Sequence, residues 1–495
     1  MQLEGKEGMN MGYRDIERTS VQARGYIDRG LCSALLLSDH WNYQDKSLPS
    51  ITSRLQRRRI MHYLSCIVIR MFAIYFFCIA AGCSSDSVNS GQSSGGGVVQ
   101  SALTRDINPQ ASDADLAAVV AGNTEFALKA FPLLALTPND NTFFSPYSIT
   151  QAFALLAPGA RGITLNEIEQ TLSFPLSQDR LNPTFNKLDL LIAGKTTGIV
   201  LADGLQAPEL NNANSIWGQQ GFFILPAYLD TLAVNYGAGL HLVDFINETE
   251  NSRQTINAWV EEQTNDRIQD LVPQDGVSSA TRVVLTNAIW FKASWASQFS
   301  QLATSTRPFT NRDGSASSVP FMRQIFMVPY AQVDGCQAID IPYVGFSLSM
   351  LVIMPDPGNF APFLSALTPT VVEDITKHLM YKEVDFSMPK FSFTKASEMS
   401  KLLSSLGMAA AFNPADADFS GIDGKRDLFV GAVFHQAFIN VDEVGTEAAA
   451  ATAIVASPTG SISVDLALAI DHPFVFMIRD RETGLILFIG KVVSL

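Results

Sequence analysis

From Ser112 to the C terminus, helical and strand periodicities occupy different stretches of the chain instead of alternating. Apolar residues recur at helical spacing over 113–136, 148–156, 165–172, 226–236 and 251–271. Runs with strand character follow, over 281–291, 338–343, 347–354, 383–387, 432–441, 474–478 and 485–493. A parallel doubly wound sheet needs a helix between successive strands, so this order predicts an α+β fold with a mainly antiparallel sheet. With 47% hydrophobic and 17% charged residues among 495, the chain can bury a large core, as one big domain or two to three ordinary ones.

Residues 1–56 carry no clear apolar period and read either as a disordered extension or as a stretch upstream of a start at Met61 or Met71. Arg57, Arg58 and Arg59 then lead into an apolar run over 60–82, broken by Arg70. Its uninterrupted part, 71–81, is too short to span a bilayer as a helix but suits the apolar region of a signal peptide. The run ends in Ala80-Ala81-Gly82-Cys83, which resembles the lipobox of bacterial lipoprotein signals, with Ala80 where leucine is usual. The resemblance implies lipidation at Cys83 and a membrane anchor; the alternative is a signal-anchor helix in which Cys83 is incidental. Ser84 after the cysteine points to the outer membrane of a cell envelope. Residues 83–111 are expected to form a flexible tether, Ser/Gly-rich from Ser84 to about Gln100, ahead of a folded domain over 112–495. Gly91-Gln92-Ser93-Ser94-Gly95 matches the pattern of a nucleophile elbow, but a Gly/Ser tether supplies no strand or helix to hold the serine.

The formal charge of -14 understates how acidic the body is. Residues 1–82 hold 11 Lys/Arg against 7 Asp/Glu, a surplus of 4 positive charges, so the remainder carries -18. Such a surface repels phosphate backbones, and nucleic acid is not expected as a partner. Of five cysteines, Cys32, Cys66 and Cys78 precede the cleavage point and Cys83 would carry lipid, leaving Cys336 without a disulfide partner in the body. Cys336 reads as a small buried hydrophobe in preference to a catalytic thiol. Among the six histidines there is no i, i+4 pair, and the chain lacks a C-x-x-C, a phosphate-cradling glycine loop and an acidic metal cluster. No catalytic residue, metal or cofactor is expected.

The segment GTEAAAATAIVASPTG, 445–460, has two readings. Alanine favours helix from about Glu447 to Ala453 with Thr446 as cap, whereas Ile454-Val455 and the Pro-Thr-Gly that follows favour extended chain and turn. At a strand's period of two, Thr446, Ala448, Ala450, Thr452, Ile454 and Ala456 share one face, all small or apolar, with Glu447 on the other. Nothing on that face opposes burial between two strands.

The ordered motifs Asn141-Thr-Phe-Phe-Ser145-Pro146-Tyr-Ser148, Ile256-Asn-Ala-Trp259-Val-Glu261 and Leu285-Thr-Asn287-Ala-Ile289-Trp-Phe291-Lys-Ala-Ser-Trp295 resemble signatures of the serpin family. So do Asp385-Phe-Ser-Met-Pro389, Val441-Asp-Glu443-Val-Gly445-Thr446-Glu447-Ala448, Asp471-His-Pro473-Phe474 and Phe488-Ile-Gly490-Lys491-Val492. The resemblance covers about residues 112–495. It implies three β-sheets with about eight to nine helices and an exposed reactive loop. It also implies a suicide substrate: a target serine protease acylates itself on the loop, and the cleaved loop enters a β-sheet as a new strand, dragging the protease along.

By the same resemblance Glu443, Gly445, Thr446, Glu447, Ala448, Ala449, Ala450, Ala451 and Thr452 form the hinge, with Gly445 suited to a pivot by its tolerance of unusual φ/ψ. Ser145, Ser148, Asn287 and His435 match the "shutter" under the opening strands, and Trp295 the "breach" where insertion begins. The family's spacing from Glu443 puts the scissile bond at Thr459-Gly460, with Ser457, Ser461 and Ile462 as other registers. Small uncharged residues there imply elastase-like or subtilisin-like serine proteases, with cysteine proteases as a further class. A monomer is expected. A non-inhibitory binding or chaperone-like member and a hydrolase are the competing readings. The small residues of the hinge favour inhibition, because non-inhibitory relatives tend to carry bulky or charged residues there.

Overall fold

The computed structural model describes residues 97–135, 137–196, 205, 207–446 and 464–495, all within one compact unit, Gly91–Leu495. Its first strand, β1 (Val98–Val99), pairs antiparallel with β4 (Leu240–Val243), so the packed chain begins ahead of the domain start expected at 112. Arg105 adds to this attachment through hydrogen bonds to Asn186 (2.8 Å) and Asp189 (2.7 Å).

Helix α1 (Asp113–Leu134) starts where Ser112 accepts a hydrogen bond from the Asp115 N–H and where Asp113 and Asp115 meet the positive end of the helix dipole. Helix α2 (Pro146–Leu156) follows β2 (Thr142–Phe144). Ser145 caps it, Pro146 takes the first turn, where no donor is required, and all its residues are buried. It packs on β3 (Glu209–Gln219) and β5 (Val283–Ser294) to one side and on β16 (Ile486–Val492) to the other, which makes it the shared core of both sheets. Next come α3 (Gly162–Thr171), α4 (Gln178–Thr196), α5 (Pro226–Tyr236) and α6 (Thr249–Gln263). The predicted 251–271 helix stops early because Asn265 and Asp266 turn left-handed. Ile268, Leu271 and Val272 continue the apolar pattern as irregular chain packed in the same buried cluster as Ile256 and Val260.

Ten α-helices lie among the described residues, several no longer than one or two turns. One sheet has seven strands in the order β1-β4-β3-β5-β13-β12-β11, where β11 is Phe391–Glu398, β12 is Val430–Val441 and β13 is Gly445–Thr446. The other connects nine strands, and its backbone is β7 (Ala316–Val333), 18 residues long. The third sheet implied by the resemblance does not separate by hydrogen bonding. The first residues of β7, Ala316–Phe321, pair with β6 (Ser305–Thr310), its middle, Phe321–Tyr330, pairs with β10 (Met380–Pro389), and its last residues pair with β8 (Cys336–Pro342), so one strand joins both halves. The fold is α+β with mostly antiparallel pairing, as the segregated periodicities require.

Candidate functional site

The seven-stranded sheet has an uncommon centre. Strands β5 and β12, distant in sequence, lie side by side and parallel from Val283/Val430 to Trp290/Phe438; β3 pairs antiparallel with β5 along this stretch, and β11 pairs antiparallel with β12 from Phe434 onward. At the C-terminal ends of these two strands the chain leaves β12, turns through 442–444 and returns between them as β13. Thr446 pairs antiparallel with Val441 on one side, and Gly445 and Thr446 pair antiparallel with Ser294 and Ala293 on the other. Two residues of a new strand thus already occupy the mouth of the β5–β12 seam. A Cβ on Gly445 would stand 1.9 Å from the Ala293 carbonyl oxygen. Glycine is needed here for this close approach, and its φ in this arrangement is not positive.

Aromatic packing and one buried acid wall the mouth. Trp295 is fully buried and stacks on Tyr343 at 4.7 Å between centroids, and the Tyr343 hydroxyl lies 2.7 Å from the Thr446 hydroxyl. The Trp295 indole N–H donates to the Asp442 carbonyl (2.9 Å), while the backbone N–H groups of Trp295 and Phe299 donate to the carbonyls of Val444 and Glu443 (both 2.9 Å). The Glu443 carboxylate is 5% exposed and accepts from Thr304 (2.7 Å) and Lys390 (2.7 Å). Burial works to raise its pKa, but these hydrogen bonds outweigh it and hold the carboxyl below its ordinary value. Asp442 shifts the other way. Burial raises it, although its carboxylate accepts from the N–H groups of Val444 (2.9 Å) and Gly445 (3.2 Å).

Midway along the seam sits a neutral polar cluster. Register alone aligns His435 on β12, Asn287 on β5 and Asn214 on β3 across three adjacent strands. The α2 N terminus closes the cluster from below. The Ser145 N–H donates to His435 Nε2 (3.1 Å), so the ring proton is assigned to Nδ1, which bonds Asn287 Oδ1. Asn287 Nδ2 donates to Ser148 Oγ (2.5 Å) and Asn214 Oδ1 (2.6 Å), and Ser148 Oγ donates to Asn212 Oδ1 (2.5 Å). Burial pushes the His435 pKa down to about 3, which keeps the ring neutral. This pair has no nucleophile geometry: both imidazole nitrogens are engaged, and Ser145 Oγ donates to the Leu487 carbonyl (2.6 Å). Cys336, buried on β8, has its thiol pushed up to about 11, chiefly by burial, which suits an inert core residue.

The sequence profile of the Serpin (serine protease inhibitor) family matches residues 121–495. The chain belongs to the serpin family. An uncharacterised serpin-like protein of Thermococcus kodakarensis is 37% identical over 363 residues, covering 72% of this chain and 81% of the relative. The human leukocyte elastase inhibitor is 34% identical over 384 residues, covering 75% of this chain and 98% of the relative. Among solved structures, the thermophilic serpin tengpin in its native state superposes with a TM-score of 0.70 at 27% identity, covering 80% of this chain and 100% of tengpin. Serpins as a family inhibit proteases and are not themselves hydrolases, so a target protease is the expected partner.

In this serpin the structure joins Ser145, Ser148, Asn287 and His435 in one network and puts Glu443, Gly445, Thr446 and Trp295 at one mouth. Glu447, Ala448, Ala449, Ala450, Ala451, Thr452, Thr459, Gly460 and Cys83 lie outside the described residues. Sequence reading missed Asn212 and Asn214, although three asparagines within four strand positions are an unusual pattern that invites a polar explanation. It also missed Tyr343, just after β8, and Lys390, between β10 and β11, which are distant in sequence from the residues they meet at the mouth.

Proposed function

We propose that this serpin is a suicide-substrate inhibitor of elastase-like or subtilisin-like serine proteases. The observation that carries the reading is β13, two residues of incoming strand wedged antiparallel between two parallel strands. A strand that continued this path would exchange the single β5–β12 interface for two antiparallel interfaces. Each added ladder hydrogen bond is worth about 0.5–1.5 kcal/mol, so the cleaved state gains over the intact one. The small side chains of 448–452 suit entry into that gap.

In the covalent step the protease serine attacks the Thr459 carbonyl carbon. The Thr459-Gly460 peptide bond breaks, an ester to Thr459 forms, and the proton passes to the departing Gly460 amine. Insertion then carries the acyl-enzyme away from its working geometry before water arrives. Cysteine proteases would follow the same course through a thioester.

Mixing the protein with elastase-like, subtilisin-like and trypsin-like proteases tests this. The expected result is a complex stable on denaturing gels and a released peptide that begins at Gly460. Cleavage with no complex and no rise in thermal stability would instead indicate a non-inhibitory member. Lipidation at Cys83 would hold this monomeric inhibitor on the cell envelope; recovery of a C83A variant in the membrane fraction at unchanged yield would refute that attachment.

A further inference from the structure

At the other end of the same sheet from the mouth, the β3–β4 edge carries an aromatic cluster outside the β5–β12 seam. The parallel register sets Trp217 beside His241, and α6 lays Trp259 against both. Ring centroids are 4.4 Å apart for Trp217–His241, 5.1 Å for His241–Trp259 and 5.7 Å for Trp217–Trp259. The Trp217 indole is fixed by its hydrogen bond to Thr286 (3.1 Å).

These three residues line a cavity of about 460 Å³, with Asp244 and Glu248 also among its lining residues. No Lys or Arg is among the described residues that line it. Asp244 stays ionised, its pKa held at about 2 by hydrogen bonds from Asn247 and Gln219, and burial lowers that of His241, which keeps the ring uncharged. Ser252, 2% exposed, lines the same cavity, and no hydrogen bond of its hydroxyl is found among the described residues.

We propose that this cavity binds a small organic cation of the choline type, with the ammonium against the indole faces and the carboxylates, and a ligand hydroxyl on Ser252. Aromatic faces attract a cation through their quadrupole, and a quaternary ammonium is the cation least costly to strip of water. Two fixed negative charges supply the complementary field. The test of this site needs no protease and no cleaved loop, so its success or failure is separate from that of the inhibitory reading.

Calorimetric titration of the full chain with choline tests the assignment. Saturable binding of one choline per chain is expected. The neutral isostere 3,3-dimethylbutan-1-ol should bind about tenfold more weakly, and phosphocholine more weakly than choline because its phosphate meets Asp244 and Glu248. Trp259→Ala should weaken choline binding about tenfold, Trp259→Phe much less, and Glu248→Gln, at an exposed position, about threefold. Equal binding of choline and the neutral alcohol would overturn the proposal, as would unchanged affinity in Trp259→Ala. Should Trp259→Ala fail to fold, unchanged affinity in Glu248→Gln together with equal binding of phosphocholine would overturn it just as firmly.

Discussion

The mouth of the β5–β12 seam and its middle are held by different chemistry. At the mouth, backbone passes close to backbone at Gly445, aromatic rings stack, and one buried acid meets one lysine. In the middle, neutral side chains on three strands and one helix satisfy one another, with His435 kept uncharged by burial. The mouth can admit further chain because its closure already includes an inserted strand. Were the seam to open, its middle would have to break the His435–Asn287 bond as well as the strand ladder.

Removing Asn287 should give the largest effect. Asn287→Ala strands the His435 Nδ1–H inside the core, while Ser148 and Asn214 keep their bonds to each other and Ser148 keeps Asn212. A stranded polar group costs about 1–3 kcal/mol and the cavity left behind adds to it, so a loss of about 3 kcal/mol or more is expected in the urea midpoint, with faster spontaneous loss of inhibitory activity on warming. An unchanged midpoint would mean that the middle of the seam is not its lock.

Gly445→Ala should act at the mouth alone. The added methyl meets the Ala293 backbone, and overpacking of this kind costs roughly 1–3 kcal/mol. The expected signature is a shift from stable complex toward cleaved, released protein in a stoichiometry titration. A thermal midpoint lowered with unchanged stoichiometry would separate the mouth from the insertion step.

The smallest effect per step is acid sensitivity. His435 is neutral when folded, with its pKa at about 3 against an ordinary 6.5. Between these values the unfolded chain binds more protons than the folded one, so stability falls as pH drops below about 6.5, at a limiting slope of about 1.4 kcal/mol per unit. Unfolding measured from pH 7 to pH 4 should show this slope, reduced in His435→Gln. An equal slope in both proteins would assign the acid sensitivity to other groups, Glu443 at the mouth among them.

Long apolar periods were legible without coordinates, as at 113–134 and 226–236, because a buried helical face repeats in sequence. Helix α4 escaped notice although Leu181, Phe185, Leu188 and Ile192 recur every three or four residues, since Pro183 and the polar residues between them mask the stripe. Strand β3 escaped for a different reason. Its asparagines have poor strand propensity, and its pairing with β5 decides its conformation.

By itself the sequence determined the fold class, the family and several of the residues that meet at the seam, Ser145, Ser148, Asn287, His435 and Trp295 among them, because these reside in periodicity and in ordered motifs. Only the tertiary structure decided that Gly445 serves close approach, that Asn212 and Asn214 complete the polar cluster, and that two tryptophans and a histidine share a cavity with two carboxylates. The physical reason is distance along the chain. A strand's register and a helix's crossing bring together residues with no sequence relation, and the energy of a contact depends on that meeting.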